Sequence, residues 1–433
     1  MRLVPTNCIA TMQKGTAVEQ QSGIEAGQNQ SARVEVTASA RATLWSLAVE
    51  AGLQVLQQLL EQDRVAICGP RYRHQATRQA GRAGTVPSAV VLGGRKVTVA
   101  RPRVRAGGRE VALPTFQAVA RTDVLSARVV EQLLVGVATR QYGRSLDPLP
   151  VGIGSRSTSK SAVSRRFVAQ TRAQFEAWQT RSLAAVDLAA LFVDGVQLAH
   201  HAVVVALGVD VDGRKQVLGL WEGGTENASV CQSLLANLQE RGLRTDRSLL
   251  IILDGSKALA KAVRAMWGAA AWIQRCQVHK QRNVLAHAPK GLHAEIRTGL
   301  RRAYRAPEVG RAKRLLLALA DRLEARAPAA ATSLREGVDE TLTVLELDLS
   351  DRLRRSLATT NPIESLMSRV RATHRRVTRW RNPLMMVRWV AAGLREAERG
   401  FHRLFGANEI GVLVRALRRR DEQLGLKAAR VAA

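Results

Sequence analysis

Cysteine, acid and long apolar runs are all in short supply in this sequence. Cys8, Cys68, Cys231 and Cys276 lie far apart with no CxxC pair, which argues against a disulfide framework and for a reducing compartment, the cytoplasm. No apolar run approaches the roughly 18 residues of a membrane-spanning helix; the longest are segments such as HAVVVALGV, so no membrane partner is expected. The opening MRLVPTNCIATMQKG has no apolar core of a signal peptide, and nothing is expected to direct export. Acid is the sharpest deficit: 36 Asp+Glu against 66 Lys+Arg leaves a net charge of +30 on 433 residues. Because that charge is spread along the chain, it points to a polyanionic partner, with nucleic acid ahead of an anionic membrane surface.

A hydrophobic content of 46% supplies real cores, and the chain is long enough for several domains. Residues 1–40 are polar, rich in Gln, Ser, Ala and Gly, and read as a flexible arm. Over 41–120, Leu44, Leu47, Ala48, Ala51, Val55 and Leu59 recur at helical spacing. A basic stretch then pairs VPSAVVLGG with RKVTVARPRVR around Gly93-Gly94 as a hairpin. Its Arg71, Arg73, Arg78, Arg82, Arg95, Lys96, Arg101, Arg103 and Arg105 make it either a solvated ribbon or one laid on phosphates. Residues 121–185 contain GIGSRSTSKSAVSRRF, a turn feeding a helix, read as helix-turn-helix-like with Arg165 and Arg166 reaching a DNA backbone. An ordinary capped surface helix begins the same way.

Residues 186–290 carry the clearest pattern. AALFVDG, HAVVVALGVD and RKQVLGLWEG read as an antiparallel meander, followed by a helix at 227–241, the strand SLLIILDG, a helix near 256–267 and the strand AAWIQRC. The order βββαβαβ, with runs such as LLIIL apolar at every residue, predicts an α/β mixed sheet of the ribonuclease H type, its first strand central and its fourth and fifth parallel to it. Residues 291–355 lose strand signals and read as an all-helical insertion, with Leu316, Leu319 and Leu323 on its buried face. Residues 356–405 return as basic helices, one running toward 380 and another over 384–405, and 406–433 reads as a basic tail, frayed at its end.

Asp194 and Asp254 each follow a buried strand and precede a glycine. Parallel strands gather their carboxyl ends on one sheet edge, where such sheets bind ligands. Two carboxylates there suit Mg²⁺ or Mn²⁺, although Asp-Gly is also an ordinary turn. Two-metal phosphoryl transfer needs a third acid, and Glu364 in ATTNPIESLMSRVR is the candidate. The same spacing also makes a capping box with Asn361 as the cap. The helix beyond it has an apolar stripe, Ile363, Leu366, Met367 and Val370, and a basic one in which Arg369, Arg371, Arg375 and Arg376 are candidate phosphate ligands. Glu222, Glu226, Glu336 and Glu346 remain possible alternatives.

In QRCQVHKQRN, Cys276 and His279 supply two of the four ligands of a structural zinc site, with His287 and His293 at loose spacing, and no resolving cysteine is near for redox work. Two readings stay open: a buried thiol with a histidine packing a helix start, or a flank of the carboxylate site where His279, Arg275, Arg282 and Asn283 meet DNA and Cys276 packs to orient them.

LFVDG, GRKQVLGLWEGGTEN, a helix ending ERGL, LLIILDG, QRCQVHKQRNV and TTNPIES before a basic helix together resemble the prokaryotic Mutator-type insertion-sequence transposases. The resemblance is dense over 190–290 and 355–400 and thinner over the amino-terminal 185 residues. It implies a ribonuclease H-like DDE enzyme whose triad is Asp194, Asp254 and Glu364, two Mg²⁺ (or Mn²⁺) ions, and cleavage and strand transfer of double-stranded DNA. The DNA partners implied are terminal inverted repeats and target DNA, met by a homodimer or larger synaptic assembly beside the bacterial nucleoid. A silent, DNA-binding repressor of the same descent, or a nuclease or resolvase on the same fold, are the alternatives.

Overall fold

The architecture follows from the alternation of amphipathic helices and wholly apolar strands. A computed structural model describes residues 43–73, 80–121, 124–150, 152–156, 158–198, 201–223 and 228–426. The arm expected at 1–40, Arg78 and Glu226 lie outside them. The chain divides into two compact units, Met1–Val129 with Arg140–Ala162, and Val130–Thr139 with Val163–Ala433.

The first unit opens with helix α1 (43–68). The basic stretch forms the expected hairpin, β1 (Gly81–Leu92) with β2 (Arg95–Ala106), Leu92 opposite Arg95. Its two-residue turn requires positive φ twice, and Gly93 and Gly94 adopt 56° and 78°. Gly94 is further constrained by the buried Tyr142, whose hydroxyl donates to its carbonyl at 3.0 Å. β3 (Arg109–Val111) and β4 (Ser155–Arg156) pair with β2, and α2 (Pro114–Arg121) follows β3. Leu53, Leu56 and Leu60 of α1 pack on this sheet. The stripe read from the sequence as the helix's apolar face is the other one: Leu44, Leu47, Ala48, Ala51, Val55 and Leu59 are all exposed. α1 is apolar on two sides, and periodicity alone does not say which side meets a neighbour. The ribbon's charges are partly neutralised in place: Glu110 pairs with Arg101 and Arg103, and Glu61 with Arg82.

α3 (Val124–Leu134) and α4 (Lys160–Thr180) carry the chain across the division between the units. Residues 135–159 separate them, including a 3₁₀ turn and β4. A helix-turn-helix joins its helices through about 3–4 residues, so the expectation holds only as a polar turn feeding a helix.

The second unit is built on β5 (Leu188–Leu198), β6 (His201–Asp210), β7 (Lys215–Gly223), α5 (Ala228–Glu240), β8 (Leu249–Leu253), α6 (Lys257–Trp267) and β9 (Ala271–Arg275). The five strands lie in the order β7-β6-β5-β8-β9, with β5 central, β6 and β7 antiparallel and β8 and β9 parallel. This is the mixed α/β sheet the sequence pattern predicts. One face is covered by α5 and α6.

α7 (Gln277–Ala286) leads to the insertion, α8 (His293–Tyr304), α9 (Val309–Glu324) and α10 (Pro328–Arg335). The insertion has its own core, in which Leu316, Leu319 and Leu323 are fully buried as expected. α11 (Asp351–Leu357), α12 (Asn361–His374), α13 (Pro383–Arg399) and α14 (Ile410–Gln423) pack on the second face of the sheet. α12 stops at His374 rather than near 380, and Asn382 caps α13 by accepting from the Met385 amide. Residues 410–423 are not a frayed tail: Leu413, Ala416 and Leu417 are buried, and Asp421 accepts from the Ser248 amide ahead of β8.

Candidate active site

Strand register delivers the chemistry. Val193 pairs with Leu253 in the parallel ladder of β5 and β8, and Leu253 with Arg275 in that of β8 and β9. The next residues on the three strands are Asp194, Asp254 and Cys276, in line across strands spaced roughly 4.8 Å apart. The Cys276 amide donates to the Leu253 carbonyl at 2.7 Å, continuing the ladder. Alternate residues point to opposite faces. Phe192 and Ile252 lie in the core beneath α12, and the aspartates two residues on share their phase. Ile363, Leu366, Met367 and Val370 dock α12 on that face, which brings Glu364 from the first turn toward the same edge.

The two Asp-Gly steps differ. β5 runs past Asp194 to Leu198, with Asp194 opposite Val205 and Gly195 opposite Val204, so no turn forms there and Asp194 is a mid-strand residue. Asp254 does enter a turn: it accepts from the Ser256 amide at 2.8 Å, and Gly255 has φ of 110°. A Cβ on Gly255 would lie 2.6 Å from Arg275 Nε.

Asp194 is 3% exposed. Burial, then the neighbouring Asp254 carboxylate, pushes it up to about 7, against the pull of His279 and a Thr360 hydrogen bond. Cys276 is fully buried and caps α7, its sulfur accepting from the His279 amide at 3.5 Å and the Thr360 amide at 3.3 Å. Burial works to raise its thiol, but the hydrogen bonds to His279 and Thr360 outweigh it and bring the thiol below its usual value. His279 is raised to about 9, first by its hydrogen bond to Cys276 and, against burial, by the charges of Cys276, Asp194 and Asp254. Its Nδ1 lies 3.2 Å from the Thr360 hydroxyl and its Nε2 3.7 Å from Glu364 Oε1. Glu364 does not bond back to Asn361. Thr360 is the cap position, and the carboxylate of Glu364 holds Arg282 at 2.7 and 3.5 Å.

The basic residues around this edge divide into two kinds. Arg275, expected at DNA, is buried at 7% exposure and donates to the Glu336 carbonyl, while its guanidinium lies against Gly255 and Gly337. It braces the Asp254 turn against the insertion. Lys280 is equally internal, bonded to the Ser333 and Glu336 carbonyls, and burial pushes its amine down to about 8. Arg282 and Asn283 are exposed, as are Arg369, Arg371, Arg375 and Arg376. Arg165 is exposed and Arg166 half-buried on α4. Among the alternative acids, Glu222 pairs with His201 at 2.7 Å, Glu336 pairs with Lys257, and burial raises Glu346.

Two features had no signal in the sequence. Thr360 is fully buried and its hydroxyl is shared among Asp194, Cys276 and His279; in the sequence it is one more Thr before a helix. Beside it, a cleft of ≈ 810 Å³ is lined by Arg301, Arg305, Arg354 and Arg355, and a second of ≈ 360 Å³ by Lys215, Arg355, Arg369, Phe401 and Phe405. Both include Thr359. Their arginines come from separate segments that only the fold assembles.

The aspartate pair suits a hard divalent cation, since two oxygen donors stand side by side and one is held near neutrality by the other. Glu364 does not complete a three-acid set as placed: Arg282 occupies it, and among the described residues no three His, Cys, Asp or Glu groups lie close enough to hold one ion. No described helix is long and apolar enough to cross a membrane.

Known proteins share this sequence well beyond the site. The transposase for insertion sequence element IS6120 of Mycolicibacterium smegmatis is 30% identical over 244 residues, 55% of this chain and 73% of that protein. That for ISRM5 of Rhizobium meliloti is 28% identical over 323 residues, 73% and 79% of the two chains. That for IS406 of Burkholderia multivorans is 29% identical over 351 residues, 78% and 86%. The family model described as Transposase, Mutator family, matches residues 28–403. With a match that takes in the described hairpin, the sheet, the insertion and the helix bearing Glu364, the chain belongs to the Mutator family of transposases.

Proposed function

We propose that this chain is a DDE transposase with a ribonuclease H-like catalytic unit, which cuts the terminal inverted repeats of an insertion sequence and joins their 3′ ends to target DNA. The observation that carries the reading is the register of β5 and β8, which sets Asp194 beside Asp254 with a helix-borne Glu364 at the same edge. Asp194 and Asp254 would hold Mg²⁺ or Mn²⁺, and Glu364 would join them for a second ion. Such ions, when bound, supply charge stabilisation to the attacking and leaving oxygens of an in-line displacement.

The chain's own groups do the rest. In the absence of DNA, Arg282 and the protonated His279 neutralise Glu364. A phosphodiester arriving at the edge competes for Arg282, a planar donor suited to phosphate and carboxylate alike, and its transfer frees Glu364. His279 keeps a positive charge beside the acids and the scissile phosphate, held by Thr360 at Nδ1. Arg369, Arg371, Arg375 and Arg376, with the two arginine-lined clefts, carry the backbone of double-stranded DNA on either side. No covalent protein–DNA intermediate is required.

Asp254→Asn tests the reading on a labelled repeat end. Binding should persist within about threefold while Mg²⁺-dependent nicking falls by at least ~10³-fold, the scale lost when electrostatic stabilisation of the reacting centre is removed. Cleavage retained by the variant would overturn the assignment. Wild-type protein that binds without nicking is a repressor, and one that nicks without joining ends to a target is a nuclease.

A further inference from the structure

We infer that the bare apolar stripe of α1 is a self-association surface, on which two copies of this chain pack their α1 helices antiparallel. Leu44 is 67% exposed, Leu47 57%, Val55 53% and Leu59 42%, on a helix whose opposite side is already filled by Leu53, Leu56 and Leu60 packed on the β-ribbon. Between the large residues lie the exposed Ala48, Ala51 and Gly52, and nothing comes within 4 Å of a Cβ built on Gly52.

The order of sizes is what favours a second copy. Laid antiparallel with Ala51 of one copy over Gly52 of the other, the stripe sets Leu44 against Leu59 and Ala48 against Val55, then repeats the same pairs beyond the two-fold axis. Large residues meet at both ends, and small residues at the centre let the helices approach to about 8 Å. An isologous interface requires this self-complementarity. The stripe runs about 22 Å at 1.5 Å per residue.

Charge agrees. Across 43–68, Glu50, Glu61 and Asp63 stand against Arg64 alone, three negative charges against one positive, or −2, in a chain whose net charge is +30. Elsewhere two copies repel, and here they do not. Residues 1–40, polar and without a helical apolar stripe, are poorly matched to cover this face from within the same chain. The inference is independent of the metal chemistry proposed above.

The experiment uses the full chain without DNA, in a Cys8→Ser background, followed by sedimentation over the micromolar range. Wild type should be dimeric, and Val55→Glu should weaken the dimer on the order of a hundredfold or more, because two-fold symmetry buries two carboxylates at once. Val55 is exposed in the protomer, so the melting of the dissociated variant should match that of dissociated wild type. Oxidation should link Ala51→Cys chains to one another and leave Ala66→Cys chains, exposed on the same helix but remote from the crossing, unlinked. A monomeric wild type, a Val55→Glu protein that dissociates no more than wild type, or equal linkage at both cysteines would overturn the inference.

Discussion

Replacing Asp194 by Asn removes a carboxyl that the fold binds in the wrong ionisation state for neutral pH. Burial and Asp254 raise it from 3.8 to about 7. Each pKa unit corresponds to about 1.36 kcal/mol, so the metal-free protein carries a penalty of about 4 kcal/mol once both folded and unfolded chains are ionised. The sign follows from proton counting: between about pH 4 and 7 the native state holds a proton that the unfolded state has lost, so stability falls as pH rises through that window and is flat above it. Asn keeps the shape and carries no charge. Asp194→Asn should therefore match wild type near pH 4 and exceed it by up to about 4 kcal/mol at pH 8, read as urea unfolding followed by tryptophan fluorescence in chelator. Millimolar Mg²⁺ should recover stability for wild type and do much less for the variant, because ligand binding to the native state stabilises by mass action. A variant less stable than wild type at pH 8, or a difference that does not change with pH, would refute the reasoning that Asp194 is a buried carboxylate waiting for a counter-charge.

Two further substitutions probe the supports of that carboxylate pair. Gly255→Ala places a Cβ against Arg275 at a φ of 110°, and should cost roughly 2–4 kcal/mol through backbone strain and overlap, with loss of nicking beyond the loss of stability because Asp254 sits on that turn. Full activity in a normally stable Gly255→Ala protein would show that Arg275 does not brace the site. Thr360→Val removes the hydroxyl shared by Asp194 and His279 and should cost about 1–2 kcal/mol; nicking should recover in Thr360→Ser, and a Ser variant no better than Val would assign Thr360 to packing alone.

Much of this was legible in the sequence because strands and helices advertise themselves locally. HAVVVALGVD is β6 residue for residue, LLIIL is β8, and Gly93-Gly94 is the hairpin turn. The order of elements predicts the sheet order, and the apolar stripe of α12 says where that helix docks. The errors have one physical source. Leu44, Leu47, Val55 and Leu59 form a faultless helical face, yet α1 has a second one, and which is buried depends on the ribbon it meets. Arg275 reads as a DNA contact among basic neighbours, but its position at the end of β9 turns it inward between Gly255 and Gly337. The segment 410–423 reads as a tail because its arginines outnumber its leucines, while the leucines alone face the sheet.

The sequence by itself determined the charge, and with it the class of partner, the strand and helix order, and the identity of the acids, since all of these are properties of residue type and near spacing. Only tertiary structure decided that Asp194 and Asp254 face each other, that Glu364 is tied to Arg282, and that Thr360 links Cys276 to His279. Those relations depend on strand register and helix docking between segments tens of residues apart, and a shift of one residue in either would send each side chain to the opposite face.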